Sequence, residues 1–290
     1  MEKKSIAVLI PCYNEEVTIE KVIRDFREAL PEATIYVYDN NSTDKTAAIA
    51  ARQGAIVRRE NRQGKGFVVQ SMFRDIDADF YLLVDGDDTY PASHAKELLE
   101  PVMSGEYDMS VGTRLVNNED EAFPRFHVFG NYLIRSLINR LFRMNLRDIL
   151  SGYRCFSRQF VKTCPVMSRG FEIETELTLQ ALNKRFKIFE CDIPYGTRPE
   201  GSVSKLSTFK DGLIVLNTIF RIFRDYKPLV FFFTLGSIGL LAGALEGWVV
   251  IKEFIDTRYI THVPLAIFAV GSVLVSFLFY GVGLILDTLN

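Results

Sequence analysis

Short runs of β-branched and aromatic residues alternate along the first part of the chain with longer segments whose apolar residues recur every three or four places. Residues 6–10 predict a strand. Residues 15–30 predict a helix, with Val17, Ile19, Val22, Ile23, Phe26 and Leu30 on its inner face. A strand over 34–38 follows, then a helix over 42–53 with Ser42 or Thr43 as its cap. A strand at 55–58, a Gly64-Lys65-Gly66 turn, a helix over 67–75 and a strand at 80–84 complete the series, which ends directly at Asp85. Such alternation predicts an α/β fold, a mostly parallel sheet with helices on both faces. Ligands of such sheets bind at the carboxyl ends of the strands. The residues there are 11–15, Asp39 and 85–88.

The pattern changes near residue 228. Residues 229–251 are apolar except for Glu246, and residues 263–286 carry no charge. At about 1.5 Å per residue, each outruns a hydrocarbon core of roughly 30 Å. Two in succession predict a transmembrane hairpin, with buried core helices as the alternative. Glu246 lies near a span end and is expected to reach the interface. Gly236, Gly239, Gly243 and Gly247 form a stripe suited to close helix contact, within the hairpin or between subunits of a homo-oligomer.

Two amphipathic stretches fit a headgroup plane or ordinary packing on the sheet. Residues 126–144 group Phe129, Leu133, Leu137 and Leu141, and residues 206–226 group Leu213, Leu216, Ile219, Phe220 and Phe223. The expected organisation is a catalytic domain over 1–205, a basic juxtamembrane helix over 206–228 and the hairpin over 229–290. Lys205, Lys210, Arg221, Arg224 and Lys227 precede the first span, whereas the inter-span loop offsets Lys252 and Arg258 with Glu253 and Asp256. The positive-inside rule then places the large domain in the cytoplasm and the loop outside, a two-span integral protein of the cell membrane if bacterial.

A net charge of −2 argues against a nucleic-acid partner. Cys12, Cys155, Cys164 and Cys191 show no C-x-x-C pairing and are expected to be reduced and structural. The N-terminus runs into the first strand without an apolar segment of signal length.

Asp85, Asp87 and Asp88 would repel one another at a strand tip unless a cation or a proton intervened. Mg²⁺ or Mn²⁺ prefers such oxygen ligands and bridges to phosphate; an acidic turn is the plain alternative. Capping accounts for Ser42, Thr43 or Asp44 but leaves Asp39 spare, free to accept from a nucleobase edge or ribose. Lys65 between two glycines offers a cation to phosphate, or simply marks a turn.

Five segments stand in a distinctive order: Val8-Leu9-Ile10-Pro11-Cys12-Tyr13-Asn14-Glu15-Glu16, Asp39-Asn40-Asn41-Ser42-Thr43-Asp44, Gly64-Lys65-Gly66, Asp85-Gly86-Asp87 and Val111-Gly112-Thr113-Arg114. Together they resemble glycosyltransferase family 2, whose catalytic domain is the GT-A nucleotide-sugar fold. Arg147-Asp148-Ile149-Leu150-Ser151-Gly152-Tyr153-Arg154 and Arg198, Gly201, Ser204, Lys205 and Leu206 extend the resemblance to the polyprenyl-phosphate sugar transferases. The resemblance implies that Pro11, Tyr13, Glu15 and Asp39 hold the nucleotide of a UDP- or GDP-sugar and that Asp85 and Asp87 bind the metal. It further implies that Arg114, Arg147 and Ser151 receive the acceptor phosphate, and that Arg198 and Lys205 sit on a loop closing over the diphosphate. Thr89 stands where some relatives carry a glutamine metal ligand, which leaves Asp88 or water as the third ligand. The basic loop is one residue longer between Gly201 and Ser204.

Chemistry also favours a lipid phosphate. A sugar hydroxyl needs a general base, whereas a phosphate is already anionic and needs only cations to place it. Arg114, Arg147 and Arg154 suit that role. Glu172, Glu174 and Glu176 point in different directions on a helix, with capping or solvated roles expected; Glu176 is the secondary candidate for a base. His94, His127 and His262 lack metal-ligand spacing. The expectation is inverting transfer of one sugar to a polyprenyl phosphate at the bilayer. The alternatives are a glycan polymerase with a hydroxyl acceptor and a non-catalytic membrane scaffold or lipid-translocation subunit.

Overall fold

The computed structural model describes residues 4–115, 125–170, 172–199, 220–221 and 223–289. The chain divides into two compact units, Met1–Gly212 and Leu213–Asn290.

The first unit is built on a seven-stranded sheet of order β3-β2-β1-β4-β6-β5-β7. Its strands are β1 (Ile6–Cys12), β2 (Thr34–Asp39), β3 (Ile56–Arg59), β4 (Phe80–Leu83), β5 (Met109–Leu115), β6 (Arg154–Ser157) and β7 (Ile188–Pro194). Strand β1 pairs in parallel with β2, from Ala7 beside Thr34 to Cys12 beside Asp39, and with β4 from Ile6 beside Phe80 to Leu9 beside Leu83. Only β6 runs against its neighbours, β4 and β5. The sheet is therefore mostly parallel, as expected.

Alternate residues of β1 face opposite layers, so one strand feeds two cores. Ile6, Val8 and Ile10 pack with Val22, Ile23 and Phe26 of α1 (Ile19–Ala29) and Leu98 of α4 (Ala95–Met103). Ala7 and Leu9 pack with Val68 and Met72 of α3 (Lys65–Asp75), Phe160 of α6 (Arg158–Thr163) and Leu177 of α7 (Ile173–Asn183).

The predicted start of the first helix moves to Ile19, because residues 13–18 form a loop held by side chains of residues 42–46. Asn14 adopts φ 53, its N–H donates to Ser42 Oγ, and the Glu15 N–H donates to Thr46 Oγ1. Ser42 and Thr43 are thus spent on this loop and do not cap α2 (Thr46–Arg52); Lys45 precedes that helix, and the Asp44 carboxylate accepts from the Thr46 N–H. The helix α5 (Arg125–Phe142) buries Ile134 and Ile138, whereas Leu133 of the expected apolar face is exposed. Most of the expected juxtamembrane helix, and Lys205, lie outside the described residues.

The second unit contains α8 (Pro228–Thr257) and α9 (Val263–Leu289), which pair antiparallel and enclose the expected spans. The glycine stripe is used inside this pair: a Cβ on Gly236 would strike the Tyr280 ring and the Ser276 carbonyl, and one on Gly243 the Ala269 carbonyl. Large apolar side chains such as Trp248 and Phe268 point outward. Both helices are long and apolar enough to cross a membrane. Glu246 accepts a 3.4 Å hydrogen bond from Ser272 of α9.

Candidate active site

Strand β4 is buried throughout and delivers Asp85 to its carboxyl end. The segment behind it is anchored by Thr18, which donates to the Gly86 carbonyl at 2.6 Å. The expected repulsion among the three carboxylates is relieved by three separate cations. Asp85 pairs with Lys65 at 2.5 Å, Asp87 with Arg198 at 2.6 Å and Asp88 with Lys21 at 2.7 Å. Asp88 reaches Lys21 from a left-handed backbone, φ 59, and Lys21 is shared with Asp25, so both carboxylates hold its ammonium above the usual lysine range.

Of the two expected third ligands, Asp88 is engaged elsewhere, which leaves water. The Thr89 hydroxyl donates to Asp87 at 2.6 Å and orients that carboxylate, while Asp88 is turned to Lys21. No cluster of three metal-type side chains forms among the described residues. Asp85 and Asp87 are two hard oxygen donors two residues apart, and Asp85 is partly open to solvent. This donor set fits Mg²⁺ or Mn²⁺ completed by diphosphate oxygens and water.

Lys65, the first residue of α3, lies between Asp85 and Glu174, 2.5 Å from each. Burial disfavours its charge, but the two carboxylates outweigh burial and raise its pKa. Burial raises the Glu174 carboxyl, with Lys65 opposing. The flanking glycines serve packing: a Cβ on Gly64 or Gly66 would collide with the carbonyl oxygens of Arg169 and Ser168. Gly64 also sits at φ 136, a region closed to other residues.

On the nucleotide side, Pro11 lies in the last stretch of pairing of β1, and Tyr13 and Glu15 follow that strand, beside the end of β2, where Asp39 is buried. Asp39 Oδ1 has no hydrogen-bond partner among the described residues. Arg198 Nη1 is likewise buried and unpartnered there.

The acceptor candidates fall into different environments. Arg114 closes a two-pronged pair with Asp148, at 2.7 and 2.9 Å, and lies over the Tyr195 ring. Burial raises the Asp148 carboxyl, but the Arg114 hydrogen bonds outweigh it and hold the group below its ordinary range. Arg147 is half-exposed and pairs with Asp192 at 2.6 Å. Ser151 is fully buried, its hydroxyl accepting from the Tyr153 N–H. Arg154 cannot position phosphate: it is completely buried, donating to the Ser151 and Ile149 carbonyls and to Thr178.

Glu176 accepts from the Met167 and Ser168 N–H groups, and Glu172 from that of Arg169, so both fasten the preceding loop. His94 pairs with Glu97, and His262 with Glu253. All four cysteines are buried; burial pushes Cys164 and Cys191 up to about 11.

The capping or solvated role expected of Glu174 does not hold, since it is buried and paired with Lys65, and sequence reasoning assigned no role to Asp148 or to Tyr90, whose hydroxyl accepts from the Gly152 N–H. The available signal for Glu174 was its helix, where eight residues from Ile173 to Ala181, all but Glu176, are buried. An acid at such a position must have a partner.

The family model described as glycosyl transferase family 2 matches residues 7–164. The glycosyltransferase AglJ of Haloferax volcanii is 33% identical over 281 residues, covering 96% of this chain and 92% of that protein. A dolichyl-phosphate hexose transferase of the same organism is 27% identical, covering 75% and 93%. Among solved structures, the glucosyl-3-phosphoglycerate synthase of Mycobacterium tuberculosis in complex with Mn²⁺ and UDP-glucose superposes with TM-score 0.62 at 21% identity, covering 76% of this chain and 78% of that one.

Proposed function

The chain belongs to glycosyl transferase family 2, and on that footing we propose that it transfers one sugar from a UDP- or GDP-sugar to a polyprenyl phosphate at the cytoplasmic membrane face. The observation that carries this reading is the pairing of Asp85 with Lys65 and of Asp87 with Arg198 at one strand tip. Two carboxylates and two cations in this order offer places for a divalent ion and for a diphosphate. The unpartnered Asp39 oxygen nearby on the sheet supports a nucleotide there. Pro11, Tyr13 and Glu15 border the same end of the sheet.

In this reading Asp39 accepts from the base or ribose, and Lys65 and Arg198 hold the diphosphate. A bound Mg²⁺ or Mn²⁺ supplies neutralisation of the charge that grows on the departing nucleotide. Arg114, kept ionised and oriented by Asp148, receives the acceptor phosphate, with Arg147 nearer the surface and the buried Ser151 shaping the 149–151 turn. An acceptor phosphate oxygen bonds to the anomeric carbon as the bond from that carbon to the diphosphate oxygen breaks, so the configuration inverts. The nucleotide diphosphate takes the bonding pair, and no proton need move at the nucleophile. The glutamates of α7 are engaged by Lys65 and by backbone N–H groups, which favours a phosphate over a hydroxyl acceptor. The name of the dolichyl-phosphate hexose transferase relative supports the same acceptor class. The paired helices α8 and α9 would hold the enzyme where such a lipid resides.

The test is a panel of labelled UDP- and GDP-sugars with polyprenyl phosphate and the purified full chain. Label in a mild-acid-labile lipid is expected from one donor. Label appearing only in polymer, or no turnover with any donor, would refute the proposal.

A further inference from the structure

The lysine at Asp85 is held from three directions. Glu174, buried on α7, accepts from Lys65 Nζ at 2.5 Å, the same distance as Asp85. Residues 167–169 form a strap across the start of α3, with the Ser168 and Arg169 carbonyls where Cβ atoms of Gly66 and Gly64 would be. The strap is fastened by Glu176 and Glu172, from the same helix region that carries Glu174. On the third side, a Cβ on Gly152 would stand 3.1 Å from Lys65 Nζ. Both ends of the Lys65–Glu174 pair are thereby packed against neighbouring groups.

The charges give this arrangement a consequence. Asp85, Asp87 and Glu174 carry three negative charges against the two positive charges of Lys65 and Arg198, leaving one net negative charge. Without Glu174 the sum is zero, and Lys65 has Asp85 as its remaining carboxylate. A neutral site attracts a divalent cation less, and a carboxylate in a one-to-one pair yields its oxygens less readily.

We propose that Glu174 is a positioning residue that acts through Lys65, sharing its ammonium so that Asp85 stays available to a divalent cation and the donor diphosphate. The proposal rests on the reading of Asp85 and Asp87 as the metal–diphosphate site. Glu174 touches neither ligand in this scheme; its effect is on where the lysine sits and on the charge Asp85 presents.

The test compares the wild type with Glu174→Gln, Glu174→Asp, Lys65→Met and the Glu174→Gln/Lys65→Met double variant. Mn²⁺ binding is read by electron paramagnetic resonance with UDP or GDP present, beside donor and acceptor KM and the thermal unfolding midpoint. Glu174→Gln should weaken Mn²⁺–nucleotide binding roughly 10- to 100-fold and raise donor KM while leaving acceptor KM unchanged. Glu174→Asp, which keeps the charge one methylene short, should recover part of the loss. The double variant should bind no worse than Lys65→Met alone, because both changes break one pathway. A folded Glu174→Gln protein with wild-type Mn²⁺ binding, or losses that multiply in the double variant, would overturn the proposal. Should Glu174→Gln not fold, a folded double variant that binds Mn²⁺ at least tenfold worse than Lys65→Met overturns it equally. A wild type that binds no Mn²⁺ with either nucleotide would instead remove the underlying reading of the site.

Discussion

Replacing Gly152 by alanine probes the site at its tightest point. A Cβ built there would stand 3.0 Å from Asp85 Cγ and 3.1 Å from Lys65 Nζ, and closer still to Asp85 Oδ2. Ordinary contact begins near 3.4 Å, so the carboxylate must withdraw by at least 0.4 Å judged from Cγ alone (3.4 − 3.0). The Gly152 N–H is also tied to the Tyr90 hydroxyl, which limits how far the backbone can yield instead. A misplacement approaching 1 Å costs about 100-fold in rate, and overpacking a buried position costs about 1–3 kcal/mol in stability. We expect kcat/KM to fall roughly 10- to 100-fold and Mn²⁺-dependent nucleotide binding to weaken, with the protein still folded. Gly105→Ala is the control: its φ of 80 adds strain but nothing lies within 4 Å, so stability falls by about 1 kcal/mol and turnover stays. A folded Gly152→Ala enzyme with wild-type kinetics would refute the placement of Asp85 beside Gly152.

Three further outcomes follow from the same geometry. Glu60 is held down from 4.5 to about 2, chiefly by Arg62, with burial opposing and the Ser71 hydroxyl assisting. A depressed carboxyl stabilises the fold above its unfolded value and loses that contribution as pH falls from 4.5 toward 2; with Arg62 half-exposed we expect about 1–2 kcal/mol, absent in Glu60→Gln, by denaturant unfolding in detergent. Asp148→Ala strands the Arg114 charge and should cost about 3–5 kcal/mol, whereas Arg114→Met/Asp148→Leu should regain most of the stability without regaining transfer to lipid phosphate. Finally, a Cβ on Gly247 would lie 3.9 Å from Ala269 Cβ, within disulfide range, so Gly247→Cys/Ala269→Cys should crosslink inside one chain; a crosslinked dimer would instead place the glycine stripe between copies.

The strands were legible because their signal is local: the run Tyr81-Leu82-Leu83 ending at Asp85 needs no knowledge of its neighbours. The same holds for the two apolar helices, whose composition alone marks them. Helix starts were less legible, since Ser42 and Thr43 have the chemistry of caps and are diverted by Asn14, a residue 28 positions earlier. The pairing of charges was hidden for the same reason. Nothing in the chain order joins Lys65 to Glu174, 109 residues away, or Arg114 to Asp148. Arg154 shows the opposite failure: its motif suggested a phosphate ligand, while its side chain is consumed by the carbonyls that shape the 149–151 turn.

Metal removal and restoration bear most directly on Asp85 and Asp87. Formation of labelled polyprenyl-phosphate sugar should cease in EDTA, return with added Mn²⁺ or Mg²⁺ in the wild type, and stay absent in Asp85→Ala and Asp87→Ala. Lipid-linked product made by Asp87→Ala with EDTA present would contradict the account.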